Sequence, residues 1–300
     1  MKTKLLSLAF AAVAGLTFGQ TGSLWTQTSR SAHAEVIGNK VSIQTPRLFQ
    51  LDIEGLKLAL KNAPKKLAAD EKSGKIISFP SGEGNLEDFK VSEQSNFEPA
   101  LAAKYPDIKA YVGQSLSDPS KIIYFSVSPL GLSSMEIHAD NSAVFIEPYT
   151  TDAQTYVVYK RSDKKDNLSK FECTTIDEVR AQTDLSARPN ADDGLLRTFR
   201  LALSCTGEYA VYFGGTKAQA LAAMNNTMTR VNGVFEKDFS VRMVLIANND
   251  AVIYTNASTD PYSNASSMSQ WNNQLQTTLT NVIGEANYDI GHLFGASGGG

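Results

Sequence analysis

Between residues 75 and 159, apolar and polar positions alternate in short runs, and turn residues mark where each run stops. The runs 75–79, 108–112, 122–127, 134–138, 143–146 and 156–159 read as strands. Pro80-Ser81-Gly82, Ser117-Asp118-Pro119, Pro129-Leu130-Gly131 and Ala139-Asp140-Asn141 separate them. Each carries a residue that fixes or frees the backbone at a reversal. The spacing predicts antiparallel hairpins. Upstream, Leu48, Leu51, Ile53, Leu56, Leu58 and Leu60 form an amphipathic stretch that stops at Ala63-Pro64.

The pattern changes after residue 160. Residues 160–193 are polar and of mixed charge, and such a segment cannot bury enough apolar area to offset its ordering entropy. An exposed linker is therefore expected near 181–197, with Arg188 and Arg197 as the basic positions for an activating cleavage. Beyond it, Phe199, Leu201 and Leu203 alternate with polar and small residues, which predicts a strand over 198–205. The apolar run 209–213 follows. A helix then starts at the N-cap Thr216 and carries Leu221, Met224, Met228, Val231 and Phe235 on one face. Residues 241–247 and 251–254 read as two further strands. Ser267 and Gln270 form a capping box for a second helix with Met268, Trp271, Leu275 and Leu279 on its apolar face, stopped by Gly284. A last strand covers 288–294. Alternating strands and helices predict a helix-backed mixed sheet, and the fold class is α+β.

At the N-terminus, Lys2 and Lys4 precede an apolar stretch over 5–18, followed by Gly19 and Gln20. This is the pattern of a secretory signal peptide over 1–20, too short for a comfortable membrane span. It predicts a secreted protein with no membrane span in the mature chain. The net charge is −3 and the pI about 5.7, and the Lys-rich pieces at 61–66 and 160–165 are short. Nucleic-acid binding is excluded on that ground.

Candidate chemistry is sparse. There is no Gly-x-Ser-x-Gly elbow, phosphate-binding loop or Cys-x-x-Cys pair. His33, His138 and His292 lack the spacing of a metal site and read as surface or packed residues. Asn248, Asn249, Asp250 and Asp260 lack the alternating carboxylates of a calcium loop and read as turn residues. No catalytic or metal-binding position is assigned. The two cysteines, Cys173 and Cys205, do not make a disulfide scaffold.

Two segments carry a family pattern: CTGEYA at 205–210 and YDIGHLFG at 288–295. With the helices between them, residues 198–300 resemble the N-terminal half of a reprolysin-like (adamalysin-like) zinc metallopeptidase of the metzincin clan. FQLDI at 49–53, AKYPDIKAYVG at 103–113 and FIEPY at 145–149 resemble that family's propeptide. The resemblance implies a signal peptide over 1–20, a β-rich propeptide over 21–194, and an incomplete catalytic domain over 195–300 with a mixed twisted sheet backed by two helices. It further implies a secreted precursor of a zinc-dependent endopeptidase that hydrolyses peptide bonds with a zinc-activated water. Polypeptide substrates and an activating protease would be its partners. The zinc ligands belong to a His-Glu-x-x-His-x-x-Gly-x-x-His helix expected beyond residue 300. The Gly298–Gly300 tract, with no cap and little apolar surface, reads as an interrupted loop, and residues 1–300 alone are expected to be inactive.

Three readings of Cys173 stand open: a latency thiol on the zinc, a disulfide with Cys205, or one of two unpaired buried thiols. A second function class also stands open, a secreted β-rich binding or adhesion module without catalysis.

Overall fold

In the first half of the chain, short strands joined by tight turns pair antiparallel with their neighbours. The structure is a computed structural model that describes residues 23–29, 35–38, 43, 46–66, 74–163 and 194–296. The predicted signal peptide, His33, Cys173 and Arg188 lie outside the described residues. Nine described strands join one sheet: β1 (Trp25–Thr28), β2 (Arg47–Leu51), β3 (Lys75–Pro80), β4 (Leu86–Glu93), β5 (Lys109–Ser115), β6 (Ile122–Ser128), β7 (Gly131–Ile137), β8 (Ala143–Pro148) and β9 (Thr155–Lys160). Their order is β1-β2-β9-β8-β7-β6-β5-β4-β3, and each neighbouring pair is antiparallel. The Trp25 indole donates to the Ser78 carbonyl at 2.9 Å, joining edge strand β1 to edge strand β3. The sheet therefore curls back on itself around Phe49, Phe79, Phe89, Phe125 and Tyr156. Helix α1 (Ile53–Leu60) adds Leu56 and Leu60 to that core.

The amphipathic stretch 48–60 divides at Asp52. Its side chain accepts from Gly55 N at 2.9 Å and caps α1, so β2 precedes the cap and the helix follows it. Strand β4 is absent from the sequence reading because only Phe89 and Val91 of its eight residues are buried, which leaves too few apolar positions for a clear alternation.

The second half contains β10 (Arg197–Cys205), α3 (Gly207–Tyr212), α4 (Lys217–Phe239), β11 (Val241–Leu245), α5 (Trp271–Val282) and β12 (Ile290–Phe294). The strand order is β11-β10-β12, with both pairings parallel. No antiparallel member of the expected mixed sheet occurs among the described strands of this half. The apolar run 209–213 lies mostly in helix α3, whose N-terminus is capped by Thr206.

Two local expectations are corrected. Residues 251–254 do not form a strand. Asn249–Val252 is a 3-10 turn and Ile253 makes a single bridge to Cys205. The Asn249 amide clamps the Leu203 backbone, accepting from its N–H at 2.8 Å and donating to its carbonyl at 2.9 Å, and so takes the bonds a strand would have made. The capping box at Ser267 does not form either, because Ser267 sits at φ −122° inside a 3-10 segment, Ala265–Gln270. Instead the Trp271 indole donates to Ser263 O at 2.7 Å and Gln274 Oε1 accepts from Ser263 N at 3.0 Å. Met268 is accordingly 44% exposed, off the apolar face.

Helix α4 joins the two halves. Leu221, Met224 and Met228 pack with Leu201 and Leu203 of β10. Its opposite side meets the curled sheet, where Asn226 bonds Ser126, and Arg230 donates to Ser133 at 2.6 Å and to Glu147. All seven residues of β7 are buried as a result. From the first half, Phe97, Leu101 and Ile108 enter the same core as Leu201, Leu203 and Leu221. Helix α2 (Pro99–Lys104) carries Leu101. Burying each of these three side chains contributes about 1.5–3 kcal/mol.

Candidate functional site

The position of β10 follows from its alternation. Leu201, Leu203 and Cys205 face the core that holds α4, whereas Ala202 packs with Ile246, Leu279 and Ile283 on the side that holds α5. The crossover from β10 to β11 thus lies on one face and the crossover from β11 to β12 on the other. In open parallel sheets such a reversal opens a crevice at the carboxyl ends of the strands, where ligands bind. Here that point is the carboxyl end of β10, beside β12.

The backbone there is tightly held. Cys205 is in register with Phe294, and Thr206 N donates to Phe294 O at 3.0 Å. Asp260 accepts from Gly207 N at 2.6 Å and from Tyr262 N at 2.9 Å. A Cβ on Gly207 would meet Ala257 N at 2.1 Å, so only glycine allows the loop after β11 to close over this strand end. Ser204 donates to Val252 O at 2.7 Å and shares a 2.6 Å hydrogen bond with the Tyr262 hydroxyl. Tyr209 and Phe294 pack at 5.5 Å between ring centres.

The sequence-derived positions are not brought together. Cys205 is a fully buried free thiol, 3.8 Å from Tyr254 O. Burial pushes its pKa up to about 12, which keeps it protonated at neutral pH and a poor nucleophile or metal ligand. Cys173 and Arg188 fall outside the described residues. Arg197 is the first residue of β10, its N–H bonded to Ser240 O at 2.9 Å, so cleavage beside it would open the first position of the ladder. His138 lies in the curled sheet against Glu136 at 2.5 Å and Ser142 at 3.1 Å. His292 lies on β12, its ring edge-on to Phe294. Asp250 is bound by Lys104 and, at 3.1 Å, by the Tyr105 hydroxyl, whereas Asp260 accepts from backbone N–H groups.

Among the described residues, no three His, Cys, Asp or Glu side chains gather where they could hold a metal ion. A protonated thiol and a carboxylate already committed to backbone N–H groups do not fit a zinc site. An open cleft of about 820 Å³ lies elsewhere, lined in part by Glu54, Lys57, Leu60, Lys109 and Tyr111. Lys57 pairs with Glu54 at 2.6 Å and Lys109 with Glu93 at 3.4 Å, so these two lysines are matched by carboxylates of the wall.

Sequence reasoning missed the polar residues between the two halves: Asn96, Asn225, Thr229, Asn232 and Arg242, each at most 7% exposed. Asn225, Thr229 and Asn232 recur at helical spacing on α4. That spacing is the available signal for a second buried face.

Comparison with known proteins places the second half. Residues 196–299 match the model of a family described as metallo-peptidase family M12B, reprolysin-like. No curated protein matches the chain.

Proposed function

From the match of residues 196–299 to the reprolysin-like metallo-peptidase family M12B, we propose that the chain is the secreted precursor of a zinc-dependent endopeptidase. In this reading, residues 1–20 direct export, the curled-sheet half is the propeptide, and cleavage by another protease near Arg188 or Arg197 separates it covalently from the peptidase half. Polypeptides are the substrates. In this reading the zinc ligands lie on a helix that follows residue 300, as the family resemblance implies.

The observation that carries this reading is the family match laid over a parallel sheet with crossovers on both faces. The test compares residues 1–300 with a chain extended through the following helix, reading zinc content and hydrolysis of an unfolded protein substrate. The extended chain is expected to bind one zinc and to lose hydrolysis with a chelator, while residues 1–300 do neither. Stoichiometric zinc and hydrolysis from residues 1–300 would overturn the placement of the ligands. An extended chain that neither binds zinc nor hydrolyses would favour a binding module.

A further inference from the structure

We propose that the curled-sheet half is a permanent subunit of the peptidase half, so that a chain cut between residues 163 and 194 remains one particle. This rests on the precursor reading for its biological setting, but the physical claim stands on contacts alone.

The first contact is strand addition. Phe97 pairs in parallel with Leu245. Leu245 N donates to Asn96 O at 2.8 Å, and Glu98 N donates to Leu245 O at 2.9 Å. The Glu98 carboxylate accepts from Ala247 N at 2.8 Å. Residues 96–98 thus extend the three-stranded sheet past β11 and satisfy backbone groups that an open edge would expose.

The second is the shared core. Phe97, Leu101 and Ile108 are at most 5% exposed, and they are packed among Leu201, Leu203, Tyr209, Leu221 and Leu245. Without them, that core is unfinished and its apolar lining meets water.

The third is a buried polar knot. Asn96 donates to Asn225 Oδ1 at 3.0 Å and Thr229 Oγ1 at 2.8 Å, and accepts from Asn232 at 3.0 Å and Arg242 at 2.9 Å. The Arg242 guanidinium also donates to Ser95 O at 2.7 Å and pairs with Glu236, to which Gln94 donates at 3.0 Å. Pulling the halves apart strips one half's donors of the other's acceptors. None of these residues lies between 163 and 194, so a cut there breaks no contact described. Cleavage would change the connectivity without removing the subunit, and the occupied edge is β11, on the other side of β10 from β12.

A protease recognition sequence with Gly/Ser flanks, inserted between residues 163 and 194 of the full chain, tests this. The folded protein is cut and run on a sizing column in neutral buffer. Both fragments are expected in one peak at the elution volume of the uncut chain, and they should separate only in denaturant. Two separate peaks in neutral buffer would overturn the proposal. In the same cut background, Asn96→Ala is expected to lower the urea concentration at which the fragments part. An unchanged value would overturn the role of the knot. Neither readout uses zinc or hydrolysis, so failure here is distinguishable from failure of the peptidase reading.

Discussion

At the scale of single residues, the most committed side chain is Asn96, which uses both its amide oxygen and its amide nitrogen on partners in the other half. Asn96→Ala leaves Asn232 and Arg242 short of an acceptor and Thr229 short of a donor inside a site that excludes water. Unfolding in urea is expected to show a loss of about 2–4 kcal/mol. Glu136 is the counterpart within the curled sheet. Burial raises its pKa above the ordinary 4.5, against the opposing effects of His138 and Lys121 and with Glu87 adding to the rise. The folded state therefore holds the proton more tightly than the unfolded one. Its contribution to stability is full below pH 4.5 and is lost as pH rises through the folded-state value. Glu136→Gln should gain stability relative to the parent as pH rises through that window, measured as the difference between urea midpoints from pH 4 to 8. A constant difference would contradict the assignment. Neither residue was visible as special in the sequence, because Asn96 stands in a polar stretch and Glu136 alternates with Met135 and Ile137, a position that reads as solvated.

At the scale of elements, short apolar-rich strands bounded by turn residues were legible, as β5 to β8 show. Elements defined by a side chain's tertiary partner were not. The Asn249 clamp on Leu203 replaced the strand expected over 251–254, and the tertiary bonds of Trp271 and Gln274 displaced the capping box. Helix α4 was legible on one side only. Its leucine and methionine stripe announced a core, whereas the second face is made of Asn225, Thr229, Asn232 and Gly233, small or polar residues that do not register as apolar periodicity. At Gly233 the backbone of α4 lies against the curled sheet with no room for a side chain, since a Cβ there would lie 2.8 Å from the Tyr124 ring. Gly233→Ala gains about 1 kcal/mol of helix propensity, but overpacking costs about 1–3 kcal/mol. Net destabilisation is expected in thermal or urea unfolding; a more stable variant would show that the ring yields freely.

At the scale of the whole molecule, the resemblance in the sequence located the peptidase-like half, and the family match covers it. The sequence did not reveal that this half's core is built jointly with residues 94–108, because the contacts join positions more than ninety residues apart, such as Phe97 and Leu201 or Asn96 and Asn225. The candidate site was only partly legible. The strands that frame the switch point were readable, while the residues that hold its backbone, Asp260 and Gly207, act through tertiary bonds. Acid should loosen the joint. Burial works to raise the Asp250 carboxyl, but hydrogen bonds from Lys104 and Tyr105, with the charges of Lys104 and Lys217, outweigh it and leave its pKa below 3.8. That contribution is present above pH 3.8 and is lost as pH falls through the lowered value.

The protein has two tryptophans, Trp25 in the curled sheet and Trp271 in the second half. Trp25→Phe and Trp271→Phe variants each leave one fluorescent reporter, and urea unfolding followed by each one tests whether the halves form one cooperative body. After correction for each variant's own stability by circular dichroism, a joint core predicts that each tryptophan loses its native signal at the midpoint of the whole variant. A Trp271 transition well separated from that of the curled sheet would contradict it.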